Sequence, residues 1–103
     1  MNKLYYLNDF QSKFVYRVER GDDLNSLSDK FHTAPSRIIA DNSLNEEISE
    51  GELLVIEKVD GEEYIVKPYD DLDKIAGYDE KKRREIVAKN KTDYIYVGQK
   101  IYI

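Results

Sequence analysis

A chain of 103 residues has room for one ordinary domain or two very small ones. With 41% apolar and 36% charged residues, 16 Lys plus Arg against 21 Asp plus Glu and a net charge of −5, it can bury a core while carrying more charge than the usual share of about 25%. No Cys and a single His exclude a disulfide scaffold, a thiolate metal site and a cysteine nucleophile, and leave little for a zinc site or a Ser/His relay. The acidic balance argues against nucleic acid, whose phosphates need a concentrated basic face, so neutral ligands and protein partners remain.

The first 14 residues stand apart from the rest of the chain. Their apolar run, Leu4-Tyr5-Tyr6-Leu7, breaks at Asn8 and Asp9, short of the roughly 7 to 15 apolar residues of a signal-peptide core. Nor does any stretch approach the ~20 apolar residues that span a bilayer. Synthesis in the cytoplasm, with no membrane partner, is the expectation. Leu4, Tyr5, Tyr6, Leu7 and Phe10 are too apolar to be left free, so this segment is expected to dock or to add a strand.

Beyond it the chain repeats itself. Tyr16, Val18, Asp22, Asp23 and Leu24 recur as Tyr64, Val66, Asp70, Asp71 and Leu72, an offset of 48 residues that also carries Ile38 onto Ile86, Ala40 onto Ala88 and Asn42 onto Asn90. After one lost residue, Gly51-Glu52-Leu53-Leu54-Val55-Ile56 lies over Gly98-Gln99-Lys100-Ile101-Tyr102-Ile103. Two modules are expected, 15–58 and 63–103, joined at Val59-Asp60-Gly61-Glu62.

In each module the hydrophobic period changes in the same order. Phe14, Tyr16 and Val18 alternate with polar neighbours, predicting a half-buried strand that reaches Glu19. Asp23 is placed to cap a helix in which Leu24, Leu27 and Phe31 recur at helical spacing. Thr33 to Pro35 restarts a second helix with Ile38 and Ile39 facing the core and Asn42 as a left-handed cap. Leu53 to Glu57 closes the module as a strand paired with Tyr16 to Glu19. The second module repeats this with strands at 64–67 and 100–103 and helices at 71–76 and up to Ala88. The fold class is therefore α+β, two tandem βααβ modules, each a two-stranded antiparallel sheet with both helices on one face.

These residues resemble the LysM domain family, whose pattern opens with a Tyr-x-Val strand, continues Gly-Asp-Thr-Leu into Ile-Ala, passes an Asn after the second helix and ends Val-Gly-Gln-x-Leu-x-Ile. Tyr16-Arg17-Val18, Gly21-Asp22-Asp23-Leu24, Asn42 and Gly51 to Ile56 carry it in the first module; Tyr64-Ile65-Val66, Asp70-Asp71-Leu72, Ile75-Ala76, Asn90 and Val97 to Ile103 carry it in the second. The resemblance implies non-catalytic binding of N-acetylglucosamine polymers, bacterial peptidoglycan or chitin, in a shallow groove between the first strand-to-helix loop and the loop before the last strand, and with it an association with a cell wall or spore. Two departures stand out. Asp23 and Asp71 replace the usual Thr, and Tyr69 stands where the first module has Gly21, so a changed loop shape is expected there. The segment Glu80 to Ile86 also resembles variant modules of phage-tail and intracellular proteins, in which a partner protein replaces the sugar. A cytoplasmic assembly module of the spore-coat or phage-tail kind is thus the alternative.

An N-acetylated sugar offers an acetamide for loop backbone groups, a methyl for an apolar dent and ring faces for aromatic stacking. The candidate contacts are Gly21, Asp22, Asp23 and Leu24 facing Ser43, Leu44 and Ile48, and Asp70, Asp71 and Leu72 facing Thr92, Tyr94, Ile95 and Tyr96. Competing ordinary roles are clear: Leu24, Leu72, Ile48 and Ile95 as core, Asp23 and Asp71 as helix caps. Tyr94 and Tyr96 alternate with Ile95, so the three cannot share one face, and a tyrosine left outside becomes a stacking platform. Lys81-Lys82-Arg83-Arg84 is flanked by Asp79, Glu80 and Glu85, and residues 59–103 hold 9 Lys plus Arg against 10 Asp plus Glu, so it reads as a solvated helix face. Asp22-Asp23 and Asp70-Asp71 lack the alternating further oxygens of a calcium loop. No catalytic residue, cofactor or metal is expected.

Overall fold

The computed structural model describes the backbone of Leu4–Tyr6 and all of residues 12–103; Leu7 and Phe10 of the expected docking segment lie outside the described residues. The order is β1 (Leu4–Tyr6), β2 (Lys13–Arg17), α1 (Leu24–Phe31), α2 (Pro35–Asn42), β3 (Leu53–Glu57), β4 (Glu63–Ile65), α3 (Leu72–Ile75), α4 (Glu80–Asn90) and β5 (Lys100–Tyr102). The described residues form an α+β fold with two antiparallel sheets, β1-β2-β3 and β4-β5. Among the described residues no helix is long and apolar enough to cross a membrane.

The alternation read from the sequence places Phe14, Tyr16 and Val18 in the core with Leu27, Ile38, Leu54 and Ile56, and Phe31 packs its ring edge-on against Phe14 and Tyr16. The strand itself lies earlier than expected. It starts at Lys13, pairs Arg17 with Leu53 and Lys13 with Glu57, and gives way at Glu19 to a turn closed by Asp22 N–H on the Glu19 carbonyl. The apolar N-terminal segment does add a strand: β1 pairs antiparallel with β2, Leu4 opposite Tyr16.

Two further expectations are corrected. The left-handed residue ending α2 is Ser43, at φ 51°, and not Asn42. Asn42 is still helical, and its side chain clamps the neighbouring strand: its amide donates to the Ile38 and Val55 carbonyls and its oxygen accepts from Val55 N–H. Pairing of Glu52 with Val18 and of Lys58 with Ser12 turns alternate residues of β3 toward β2, so Val55 points its backbone groups away, and Asn42 takes the place of a further strand. Asn90 does the same for Tyr102. The second correction is Ile39, which is 40% exposed while Ile38 is buried. One residue on a helix is a rotation of about 100°, and with Ile38 at the centre of the buried face that step carries Ile39 to its edge.

The halves are packed together. The Tyr102 ring is buried, with its centroid 4.7 Å from that of His32, and it clusters with Ala34 and Val59. His32 Nδ1 lies 2.8 Å from the Val59 carbonyl, which only a protonated Nδ1 can satisfy by donating. From α2, Ser36 donates to the Asn90 carbonyl and Arg37 to that of Lys89, covering the carbonyls left open at the end of α4. The expected joint is thus no free tether, because Val59 is part of the interface.

Candidate functional site

Each strand-to-helix loop is built around one carboxylate. Asp22 accepts from the Tyr16 hydroxyl at 2.5 Å and from Glu19 N–H at 2.8 Å; Asp70 accepts from the Tyr64 hydroxyl at 2.6 Å and from Lys67 N–H at 2.8 Å. The Tyr and Asp of the repeated pattern are therefore partners across the loop, six residues apart. The next residue caps the helix: Asp23 Oδ1 accepts from Ser26 N–H and Asp71 Oδ1 from Lys74 N–H, both at 2.7 Å. All four candidate aspartates thus have structural work, and they leave the wall of the loop fixed in shape.

Burial alone would raise Asp22, but the bonds from Tyr16 and Glu19, with Lys30 nearby, outweigh it and hold the carboxyl below its ordinary 3.8. The Tyr64 hydroxyl and Lys67 N–H depress Asp70 likewise, and the same bond raises the Tyr64 phenol. A depressed carboxyl stabilises the fold above its ordinary pKa, and that contribution is lost as pH falls through the depressed value. The melting temperature is accordingly expected to hold down to about pH 4 and to fall below it. Tyr64→Phe should fall less steeply, as a pH series of thermal melts would show.

The changed loop shape expected at Tyr69 is not found. Tyr69 adopts φ 71° beside 88° for Gly21, and Asp70 N–H closes on the Lys67 carbonyl as Asp22 N–H does on Glu19. The Asp70 bonds impose the turn, and the residue in it accepts a left-handed conformation that costs roughly 1 kcal/mol. Its side chain is 92% exposed. Tyr69→Gly is therefore expected to stabilise the protein by about 1 kcal/mol, measured as a higher urea midpoint at unchanged slope.

Two shallow grooves, each of about 340 Å³, lie beside these loops. The first is lined by Asp22, Asp23, Leu24 and Asn25 on one wall and Glu47 and Ile48 on the other. Gly21 does not line it, and Ser43 and Leu44 line a neighbouring acidic hollow with Glu46, Glu47 and Glu50. The second groove brings together Asp70, Asp71, Leu72, Asp93, Tyr94 and Ile95, with Asp73 and Arg83 at its edge, where Arg83 Nε is 3.1 Å from Asp73. Tyr96 and Thr92 are outside it. Leu24 and Ile48 are half-buried against the first core, while Leu72 is within the second and Ile95 leans on it. Each of these apolar residues serves core and groove at once. Tyr94 and Tyr96 are both exposed, with ring centroids 6.0 Å apart. Sequence reasoning missed Asn25, Glu47 and Asp93, whose polar side chains carry no periodic signal. Among the described residues no cluster of three or more His, Cys, Asp or Glu is placed to hold a metal.

The LysM domain family matches residues 16–56, the stretch that holds β2, α1, α2, β3 and the first groove. This segment is a LysM domain. LysM domains as a family are modules of the carbohydrate- and peptidoglycan-binding class. Among solved structures, the chain is similar to the Bacillus cereus spore cortex-lytic enzyme SleL at 28% identity and a TM-score of 0.44, over 89% of this chain and 22% of that one. The chain spans about a fifth of SleL's length. No curated protein matches the chain at a significant level.

Proposed function

We propose that the protein is a non-catalytic binder of N-acetylglucosamine-containing glycan, with residues 63–103 acting as a second LysM-like module behind the first. The observation that carries this reading is the groove of the LysM domain itself, where Leu24 and Ile48 form an apolar dent between two loops. An acetamide methyl suits such a dent, and the loop amides on either side suit its polar atoms. The recurring loop in the other half, with its Tyr-Asp bond, its capping Asp and its Asn clamp, supports a second groove of the same kind, one that adds the Tyr94 ring. Peptidoglycan and chitin, which share N-acetylglucosamine units, are the polymers to probe; attachment to a cell wall or spore surface would follow from the first.

The rival is an assembly module that recruits a basic protein, favoured by the net charge of −5 and by Glu46, Glu47 and Glu50 around the neighbouring hollow. Salt separates the two. A neutral glycan should hold the protein on insoluble chitin equally well as the Debye length falls from about 30 Å to 8 Å, with release by soluble N-acetylglucosamine oligomers. Failure to sediment with either polymer, or release by that salt change alone, would contradict the glycan reading.

A further inference from the structure

Each groove shares a lining residue with a third hollow. Asn25 lines both the first groove and a cleft of about 800 Å³ between the halves, and Tyr94 lines both that cleft and the second groove. We propose that this cleft is a third sugar-contacting surface, so that a single strand of N-acetylated hexoses runs from one groove through the cleft into the other. The inference rests on the glycan reading of the grooves and adds that the halves form one continuous site.

The cleft has the chemistry of a sugar path. Ile39 and Ile65, 40% and 45% exposed, leave apolar surface open to it. Tyr94 and Tyr96, 69% and 54% exposed and inclined to each other by 39°, supply ring faces of the kind on which pyranose rings stack. Its charges are compensated within the protein: Lys100 pairs with Asp29 and lies near Glu63, while Lys91 pairs with Asp41 at 2.5 Å. A neutral polymer with apolar faces and polar edges fits such a lining, whereas a charged protein segment would have to break those pairs. The cleft is also preformed, because Tyr102, His32, Ser36 and Arg37 hold the halves together. Aligning two modules on one strand then has little ordering cost.

The test is calorimetry of the full chain with soluble N-acetylglucosamine oligomers from the dimer to the octamer. Affinity should rise by at least about tenfold once the oligomer outgrows one groove, and the stoichiometry of the octamer should be one per chain. Tyr96→Ala, which alters the cleft and neither groove, should weaken the octamer about tenfold and leave the dimer unchanged; Ile39→Ser should act in the same direction. An octamer that binds no tighter than short oligomers, two octamers per chain, or a Tyr96→Ala loss that is equal at every length would overturn the continuous site while leaving separate grooves intact. Absence of binding at every length would overturn the glycan reading itself, and this inference with it.

Discussion

Asn90→Ala should destabilise the protein by about 3 kcal/mol. The side chain is buried and makes three hydrogen bonds, two of them to the backbone of Tyr102. Those backbone groups face away from β4, since the neighbouring Ile103 pairs with Glu62 on that side. Truncation to Ala therefore orphans an N–H and a carbonyl in a place that water does not reach, and each orphan costs roughly 1 to 3 kcal/mol. Asn42→Ala should cost about half as much, because that position is only half-buried. Urea titrations of both variants at unchanged slope check the pair, and equal small losses would show that the clamp is replaceable by solvent.

Tyr102→Ala should cost about 3 to 5 kcal/mol, in the range of a buried aromatic truncation, and should also change the shape of unfolding. The ring is 1% exposed, and burial raises its phenol even though a hydrogen bond with Ser28 opposes the shift. It belongs to β5 yet rests on His32 and Ala34 of the other half, so its loss removes the wedge that joins two small cores. A calorimetric scan should then resolve two transitions in the variant where the parent shows one. Tyr102→Phe keeps the wedge and should cost only about 1 kcal/mol, still in one transition. A single transition in Tyr102→Ala would mean that Ser36 and Arg37 suffice to couple the halves.

The fold was largely legible because its determinants are local. Alternation at Phe14, Tyr16 and Val18, the caps at Asp23 and Asp71, and Pro35 at a helix start each act within a few residues, and each is found in place. What escaped depends on partners far along the chain. Asn42 reads as a cap until Val55 is seen 13 residues away. Ile39 looks like core by its neighbour Ile38, and only the helix phase turns it toward the cleft. Tyr69 misled for a different reason: its own preference for negative φ is overruled by the Asp70 bonds that set the turn. Of the candidate site, Asp22, Asp23, Asp70, Asp71 and the apolar residues could be named from the motif, but Asn25 and Glu47, which complete the first groove, Asp93 in the second, and the place of Tyr96 outside it required the packing of the whole chain.

The most direct measurement is an amide NMR titration of the full chain with an N-acetylglucosamine oligomer. Concentration-dependent shifts are expected at residues 22–25 and 47–48, at 70–72 and 93–95, and at Tyr96 in the cleft between them, with the outer faces of α1 and α4 unmoved. Shifts confined to the acidic hollow around Glu46 and Glu50, or none anywhere at millimolar oligomer, would contradict the glycan reading.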